Sequence, residues 1–282
     1  MLRLRCRRAG LTVDPTLSTG AFLRIEPVIR AALAKPRARP LVVGICGSQA
    51  SGKSTVSAQL VARFCEQGIH AAALSLDDVY LTRAERTTLA RTVHPLLQTR
   101  GVPGTHDVGL ALSVFEALDS GRGGALPRFD KAQDDRAPEA AWGVLRPDTQ
   151  LLILEGWCVG ALPQAAAALV EPVNALEEDE DADRHWRRYV NAALAGDYQC
   201  LFARLDMLVL LAAPGFSVVR DWRIEQEQGL ARTAQAGATA LMSVPQIERF
   251  ILHYQRLTMH ILAEMPGRAD LVVRLASDRS VL

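Results

Sequence analysis

Leu41-Val-Val-Gly-Ile-Cys46 runs straight into Gly47-Ser-Gln-Ala-Ser-Gly-Lys-Ser-Thr55, and from Ser54 to Phe64 apolar residues recur at helical spacing. A short buried strand, a Gly-x-x-x-x-Gly-Lys-Ser loop and an amphipathic helix, in that order, put a phosphate-binding loop in its proper setting. Gly47 and Gly52 allow backbone conformations that other residues resist, so successive N–H groups converge on an anion. Gly47, Ser48, Gln49, Ala50, Ser51, Gly52, Lys53, Ser54 and Thr55 are therefore the candidate nucleotide-binding residues. The helix start adds partial positive charge. Lys53 is expected to reach the β- and γ-phosphates and the Ser54 hydroxyl to hold Mg²⁺. The pattern predicts a nucleoside triphosphate site, with ATP and Mg²⁺ as cofactors.

Outward from this loop the chain alternates apolar runs with helical stretches. Ala71 to Leu76, Leu151 to Leu154, Met207 to Ala212 and Leu271 to Leu275 read as further strands, and Arg184 to Leu201, Ser217 to Leu230 and Pro245 to Met265 as helices. Such alternation predicts an α/β fold with a parallel sheet covered by helices on both faces. Residues 1–40 are expected to form an N-terminal extension with a helix over Ala21 to Ala34, ended by Pro36 and Pro40, and residues 41–282 a single domain. The polar stretch from Asp77 to about Asp148 carries loops, and the acidic run Glu177 to Asp181 reads as a solvated loop or helix start.

Composition narrows the class. The 282 residues carry 32 Lys plus Arg against 31 Asp plus Glu, a net charge of +1, which argues against nucleic acid as a partner. No apolar run approaches the roughly 20 residues of a membrane span. The five cysteines, Cys6, Cys46, Cys65, Cys158 and Cys200, form no Cys-x-x-Cys pair and fit reduced thiols. Arg3, Arg5, Arg7 and Arg8 lack the apolar core of a secretion signal, so a cytoplasmic location is expected.

Ligands in such sheets bind at the carboxyl ends of strands, and the informative polar residues follow strands here. A right-handed crossover returns the second strand parallel to the first, placing Asp77-Asp78 on the nucleotide edge. A carboxylate there suits accepting a proton from an attacking hydroxyl, or holding Mg²⁺. Asp77 is read as the catalytic side of the pair, with Asp78 second. Glu155, at the end of Leu-Leu-Ile-Leu-Glu, is an acid on a buried strand that needs a cation, and Mg²⁺ is the one available. Between these acids, Arg100, His106, Asp107, Lys131 and Arg136 supply the opposing charges that clasp a small polyol or hydroxy acid. Arg220 and Arg223 lie three apart on one helix face and are expected to close over the phosphates as a lid, with helical ion pairing to Asp221, Glu225 or Glu227 as the plainer use.

With these residues in place, the chain resembles the D-glycerate 3-kinase group of the phosphoribulokinase/uridine kinase family. The resemblance rests on the phosphate loop and Glu155-Gly156. It rests also on Ser75-Leu-Asp-Asp-Val-Tyr-Leu-Thr82, Arg100-Gly-Val-Pro-Gly-Thr-His-Asp107, Phe129-Asp-Lys131, Glu155-Gly-Trp-Cys-Val-Gly160 and Tyr254-Gln-Arg-Leu-Thr-Met-His260. It implies a five-stranded phosphate-loop kinase that phosphorylates a small hydroxylated acceptor from ATP, with the Asp after the second strand as base. Ala132-Gln133 and Asp134-Asp135 depart from the Ser- and Gly-rich loop of that group. Uridine, pantothenate or a sugar phosphate are the alternative acceptors, and an ATPase that transfers nothing is the alternative class.

Overall fold

The structure, a computed structural model, describes residues 15–233 and 242–282. Cys6 and the arginines at positions 3, 5, 7 and 8 lie outside the described residues. The sheet strands are β1 (Leu41–Gly47), β2 (Ala71–Ser75), β7 (Leu151–Gly156), β8 (Met207–Ala212) and β9 (Leu271–Arg274), all parallel in the order β2-β7-β1-β8-β9. Two small antiparallel pairs, β3 (Gly124–Leu126) with β6 (Gly143–Leu145) and β4 (Phe129–Asp130) with β5 (Asp135–Arg136), stand outside it. The helices are α1 (Pro15–Leu33), α2 (Lys53–Glu66), α3 (Arg83–Thr92), α4 (Val108–Asp119), α5 (Ala175–Glu180), α6 (His185–Ala195), α7 (Asp197–Phe202), α8 (Ser217–Thr233) and α9 (Val244–Glu264).

Strand pleating divides the core. Leu41, Val43 and Ile45 of β1 point to one face with Leu151 and Ile153 of β7, where they meet Ile25 and Ile29 of α1 and Val56, Leu60 and Phe64 of α2. Val42 and Cys46, with Leu152 and Leu154, point to the other face, against Phe115 of α4, Tyr198 of α7 and Leu257 of α9. Every residue of β1 and β7 is buried, which is why these strands read as continuous apolar runs rather than alternating ones. Emptying a fully buried ring site such as Phe115 costs about 3–5 kcal/mol. The α1 helix packs on α2, β1 and β9, so the N-terminal extension completes one face of the sheet.

Two expectations need correction. The helical stretch from Arg184 to Leu201 is broken at Gly196, where α6 ends and α7 begins. The acidic run is not uniformly solvated. Glu177 and Asp181 are each 1% exposed, Glu177 paired with Arg256 and Asp181 with Arg187. Buried charges persist only when paired, and these pairs tie α5 to α9 and α6.

Candidate active site

Strand order decides what meets what. Because β7 lies between β1 and β2, Glu155 is in register with Ile45 on one side and Ser75 on the other. The phosphate loop, Glu155 and Asp77 therefore lie side by side at the carboxyl edge of the sheet.

In the loop, Ala50 (φ 58°) and Gly52 (φ 87°) hold the left-handed turns. Gly47 matters for another reason than the one expected: a Cβ there would meet Ser51 Oγ at 2.7 Å and Leu211 at 3.1 Å, so packing rather than φ requires glycine. Gly52 caps α2, whose first residue is Lys53. The hydroxyls of Ser48 and Ser51 and both amide atoms of Gln49 are buried without protein partners, the state expected of a cradle awaiting an anion. Ser54 Oγ donates to Glu155 Oε1 at 2.8 Å, while Glu155 Oε2 is buried with no partner. That donor set, a hydroxyl beside a half-satisfied carboxylate next to a phosphate cradle, fits Mg²⁺ held through Ser54 and Glu155.

Asp77 sits in a 3-10 turn, Leu76–Asp78, where β2 ends. Its Oδ1 accepts from the Tyr80 hydroxyl at 2.6 Å and its Oδ2 from Lys131 Nζ at 2.7 Å. Burial alone would raise this carboxyl. The ammonium groups of Lys131 and then Lys53, with these two hydrogen bonds, outweigh it and hold Asp77 well below the usual carboxylate range. Lys131 is raised in turn, chiefly by Asp77. Asp78 faces elsewhere: Arg128 Nη1 reaches it at 3.1 Å and the Phe129 amide at 3.4 Å, so it anchors the strand leading to β4.

Lys131 reaches Asp77 because the β4–β5 hairpin is itself pinned. Asp130 Oδ1 accepts from the Ala132 and Gln133 amides, closing the turn. Asp134 takes Arg86 at 3.0 Å and Arg100, and Asp135 takes the Arg83 amide. Arg86, 1% exposed, also donates to the carbonyls of Leu81, Gln98 and Asp134. Of the residues that depart from the Ser- and Gly-rich pattern, Asp134 holds the hairpin through ion pairs and Asp135 through the Arg83 amide.

The Arg100–Asp107 loop is held from beneath by aromatic side chains. Trp157 Nε1 donates to Gly101 O at 2.7 Å, Tyr254 Oη to Arg100 O at 2.9 Å, and the Gly104 amide to Tyr198 Oη at 3.0 Å. Gly101 (φ 134°) lies so close to Tyr254 that a Cβ would fall 1.9 Å from its hydroxyl. The loop's far end pairs with the segment after Asp77: Leu81 N donates to Thr105 O and Asp107 N to Val79 O. His106 is thereby stacked on Tyr80, ring centroids 4.6 Å apart. Tyr198 Oη accepts from the Gly104 amide and lies within hydrogen-bond distance, 2.6 Å, of His106 Nδ1. His106 Nε2 is buried without a partner, and burial pushes the ring down to about 3, keeping it neutral.

The other expected acceptor contacts are engaged within the protein. Asp107 caps α4 through the Leu110 amide and takes Arg136 Nη2 at 2.8 Å, and Arg136 also reaches Tyr80 O. Arg220 and Arg223 both face α9. Arg220 pairs with Glu248 at the surface, whereas Arg223, 14% exposed in its side chain, pairs with Glu227 and lies over the Phe250 ring. Arg223 is also among the charges acting on Tyr254. Sequence reasoning gave no role to Tyr80, Tyr198, Trp157, Tyr254, Arg86 or Asp134. Tyr80, three residues from Asp77, had a local signal; the others act across long sequence separations.

Comparison with known proteins bears on the family and the fold. Residues 42–165 match the phosphoribulokinase/uridine kinase family. The chain is 34% identical over 247 residues to the uncharacterized kinase mug58 of Schizosaccharomyces pombe, covering 84% of this chain and 86% of that one. It is 28% identical over 242 residues to a chloroplastic D-glycerate 3-kinase of Arabidopsis thaliana, covering 82% of this chain but 50% of that protein. Its fold matches the solved D-glycerate 3-kinase of Cryptococcus neoformans with a TM-score of 0.74 at 23% identity, over 96% of this chain and 98% of that one.

Proposed function

The chain belongs to the phosphoribulokinase/uridine kinase family and is an ATP-dependent small-molecule kinase, and from that premise we propose that it transfers the γ-phosphoryl group of ATP to a hydroxyl of D-glycerate, giving 3-phosphoglycerate. The observation that carries the reading is the Asp77 carboxylate, set beside the phosphate loop and bridged to Lys131 on the hairpin that walls the acceptor side. Two D-glycerate 3-kinases among the relatives support the choice of acceptor.

Phosphoryl transfer asks a protein mainly for positioning and charge. The loop amides and Lys53 hold the triphosphate in line with the acceptor. Asp77 takes the proton of the attacking hydroxyl as its oxygen bonds to the γ-phosphorus and the bond to the β–γ bridging oxygen breaks, releasing ADP. Arg100 and Lys131 supply cations for the acceptor carboxylate, and His106 Nε2 a hydrogen-bonding partner for its hydroxyls. Asp107 and Arg136 hold the wall on which those groups stand. Arg223, and Arg220 once released from Glu248, are the residues proposed to close over the phosphates. Mg²⁺, when bound by Ser54 and Glu155, neutralises charge on the phosphate oxygens. The free Cys46 and Cys158 support a reducing, cytoplasmic setting, and no helix among the described residues is long and apolar enough to cross a membrane.

A coupled assay of the purified protein with ATP and D-glycerate tests the reading. ADP and 3-phosphoglycerate formed together are the expected result. Turnover with uridine, pantothenate or ribulose 5-phosphate, and none with D-glycerate, would reassign the acceptor.

A further inference from the structure

Each oxygen of Asp77 accepts one hydrogen bond, and the one at Oδ2 comes from a cation, which weakens the carboxylate as a base. The two partners differ in how firmly they are held. Tyr80 is 4% exposed, stacked on His106 and packed edge-on against Phe129, and its hydroxyl has nowhere to go. Lys131 has a side chain 58% exposed and stands at the turn of a hairpin whose backbone is fixed by Asp130 and Asp134, not by the lysine. Its ammonium can swing on its methylene stem while the hairpin stays in place.

We propose that Lys131 is shared between the base and the acceptor: paired with Asp77 it neutralises the carboxylate, and the anionic group of an acidic acceptor draws it away, leaving Oδ2 a stronger base for the hydroxyl proton. This rests on the readings of Asp77 as the base and of the acceptor as a hydroxy acid. Two consequences follow from the charge balance. A neutral polyol with the same hydroxyl offers nothing to draw the ammonium off and meets a weakened base. Water offers no anionic group either and meets the same weakened base, so ATP is spared hydrolysis until an acid is bound. The groups facing Asp77 are Lys53 of α2, Tyr80 beside it, His106 from the loop, Cys158 beyond β7 and Tyr254 of α9, and of these only Lys53 adds a second positive charge. Arg100 and Glu155 act on Lys131 from either side.

The test uses the full chain with Lys131→Met, Lys131→Arg and the double variant Asp77→Asn/Lys131→Met. Removing a cation within hydrogen-bond reach raises a carboxyl by about 1–3 pH units, and a stronger base speeds proton removal. Acceptor-free ATP hydrolysis at pH 7 is therefore expected to rise at least threefold in Lys131→Met, to rise less in Lys131→Arg, and to fall back in the double variant. With acceptor, the wild-type preference for D-glycerate over glycerol in kcat/KM is expected to shrink at least tenfold in Lys131→Met. Hydrolysis that does not rise, or a rise that persists in the double variant, overturns the sharing of Lys131. A rise abolished by Asp77→Asn, in a protein that turns over neither D-glycerate nor glycerol, leaves the shared lysine standing and removes the acceptor assignment.

Discussion

Two halves of one site are built here by different means. The phosphate loop is a consecutive run of residues between β1 and α2, and its geometry comes from its own backbone turns at Ala50 and Gly52. The acceptor wall gathers Asp77, the Arg100–Asp107 loop and the β4–β5 hairpin. It holds them with side chains from well outside them: Trp157, Tyr198 and Tyr254 grip backbone groups of the loop, and Arg86 grips the hairpin. A half specified by local backbone chemistry is fixed wherever the fold places it. A half held by side chains can be re-aimed by changing a brace, without touching the donor side.

The largest way to break this division is at the group where the halves meet. Asp77→Asn keeps the shape and removes the proposed base, and general-base contributions run to about 10²–10⁴-fold. We expect kcat to fall by about 10³-fold with ATP affinity within threefold of wild type, measured by steady-state kinetics and nucleotide titration. Loss of ATP binding would mean that Asp77 belongs to the donor half. Asp78→Asn, which loosens the hold on Arg128 and the approach to β4, should act mainly on acceptor KM.

Next in size is a change confined to the braces. Gly101→Ala forces a Cβ into the Tyr254 ring at a φ that other residues avoid, and overpacking with strain costs about 1–3 kcal/mol. Acceptor KM should rise at least tenfold while ATP affinity holds. Trp157→Phe leaves Gly101 O buried without its donor, a loss of about 1–3 kcal/mol. It should lower the thermal midpoint and raise acceptor KM in the same direction. Equal damage to ATP binding in either variant would show that the two halves are mechanically one.

The same contrast governs what could be read from the sequence. β1, β2, β7, β8 and β9 are legible because each is a short apolar run, and the loop because its spacing is a chemical necessity. Glu155 and Asp77 follow from the rule that ligands gather at strand ends. The bracing roles of Tyr254 and Trp157 could not be read locally, for a physical reason. Tyr254 meets Arg100 across 154 positions and Trp157 meets Gly101 across 56, and no local periodicity encodes such pairs. Glu177 and Asp181 misled because a run of five acids looks solvated until Arg256 and Arg187 arrive from elsewhere in the fold.

A pH series separates the halves in stability rather than rate. His106, pushed down to about 3 by burial, belongs to the acceptor wall, and His253, pushed down to about 4 by burial, sits on α9 edge-on against Trp186. In the unfolded chain each binds a proton near pH 6.5, so the unfolded state takes up protons first as pH falls. Their contribution to stability is complete above pH 6.5 and is lost as pH drops towards their folded values, by up to about 1.4 kcal/mol per pH unit for each ring. Urea midpoints measured from pH 7 to pH 4.5 should fall, and His106→Gln should flatten that slope whatever it does to the midpoint at pH 7. An unchanged slope would mean that His106 is charged in the folded protein.

The smallest expected effect lies at the edge of the site. Arg220 is tied to Glu248 by an exposed pair, and such solvent-screened pairs add little to stability. Glu248→Gln should therefore leave stability nearly unchanged. If Arg220 leaves Glu248 to meet the phosphates, freeing it in advance removes a small competing interaction, and kcat should rise by up to about threefold. Arg223 is the contrasting case. It is half enclosed between Glu227 and the Phe250 ring, so Arg223→Ala should cost both stability and kcat. A Glu248→Gln variant with unaltered kcat, beside an Arg223→Ala variant with reduced kcat, would assign closure over the phosphates to Arg223 alone.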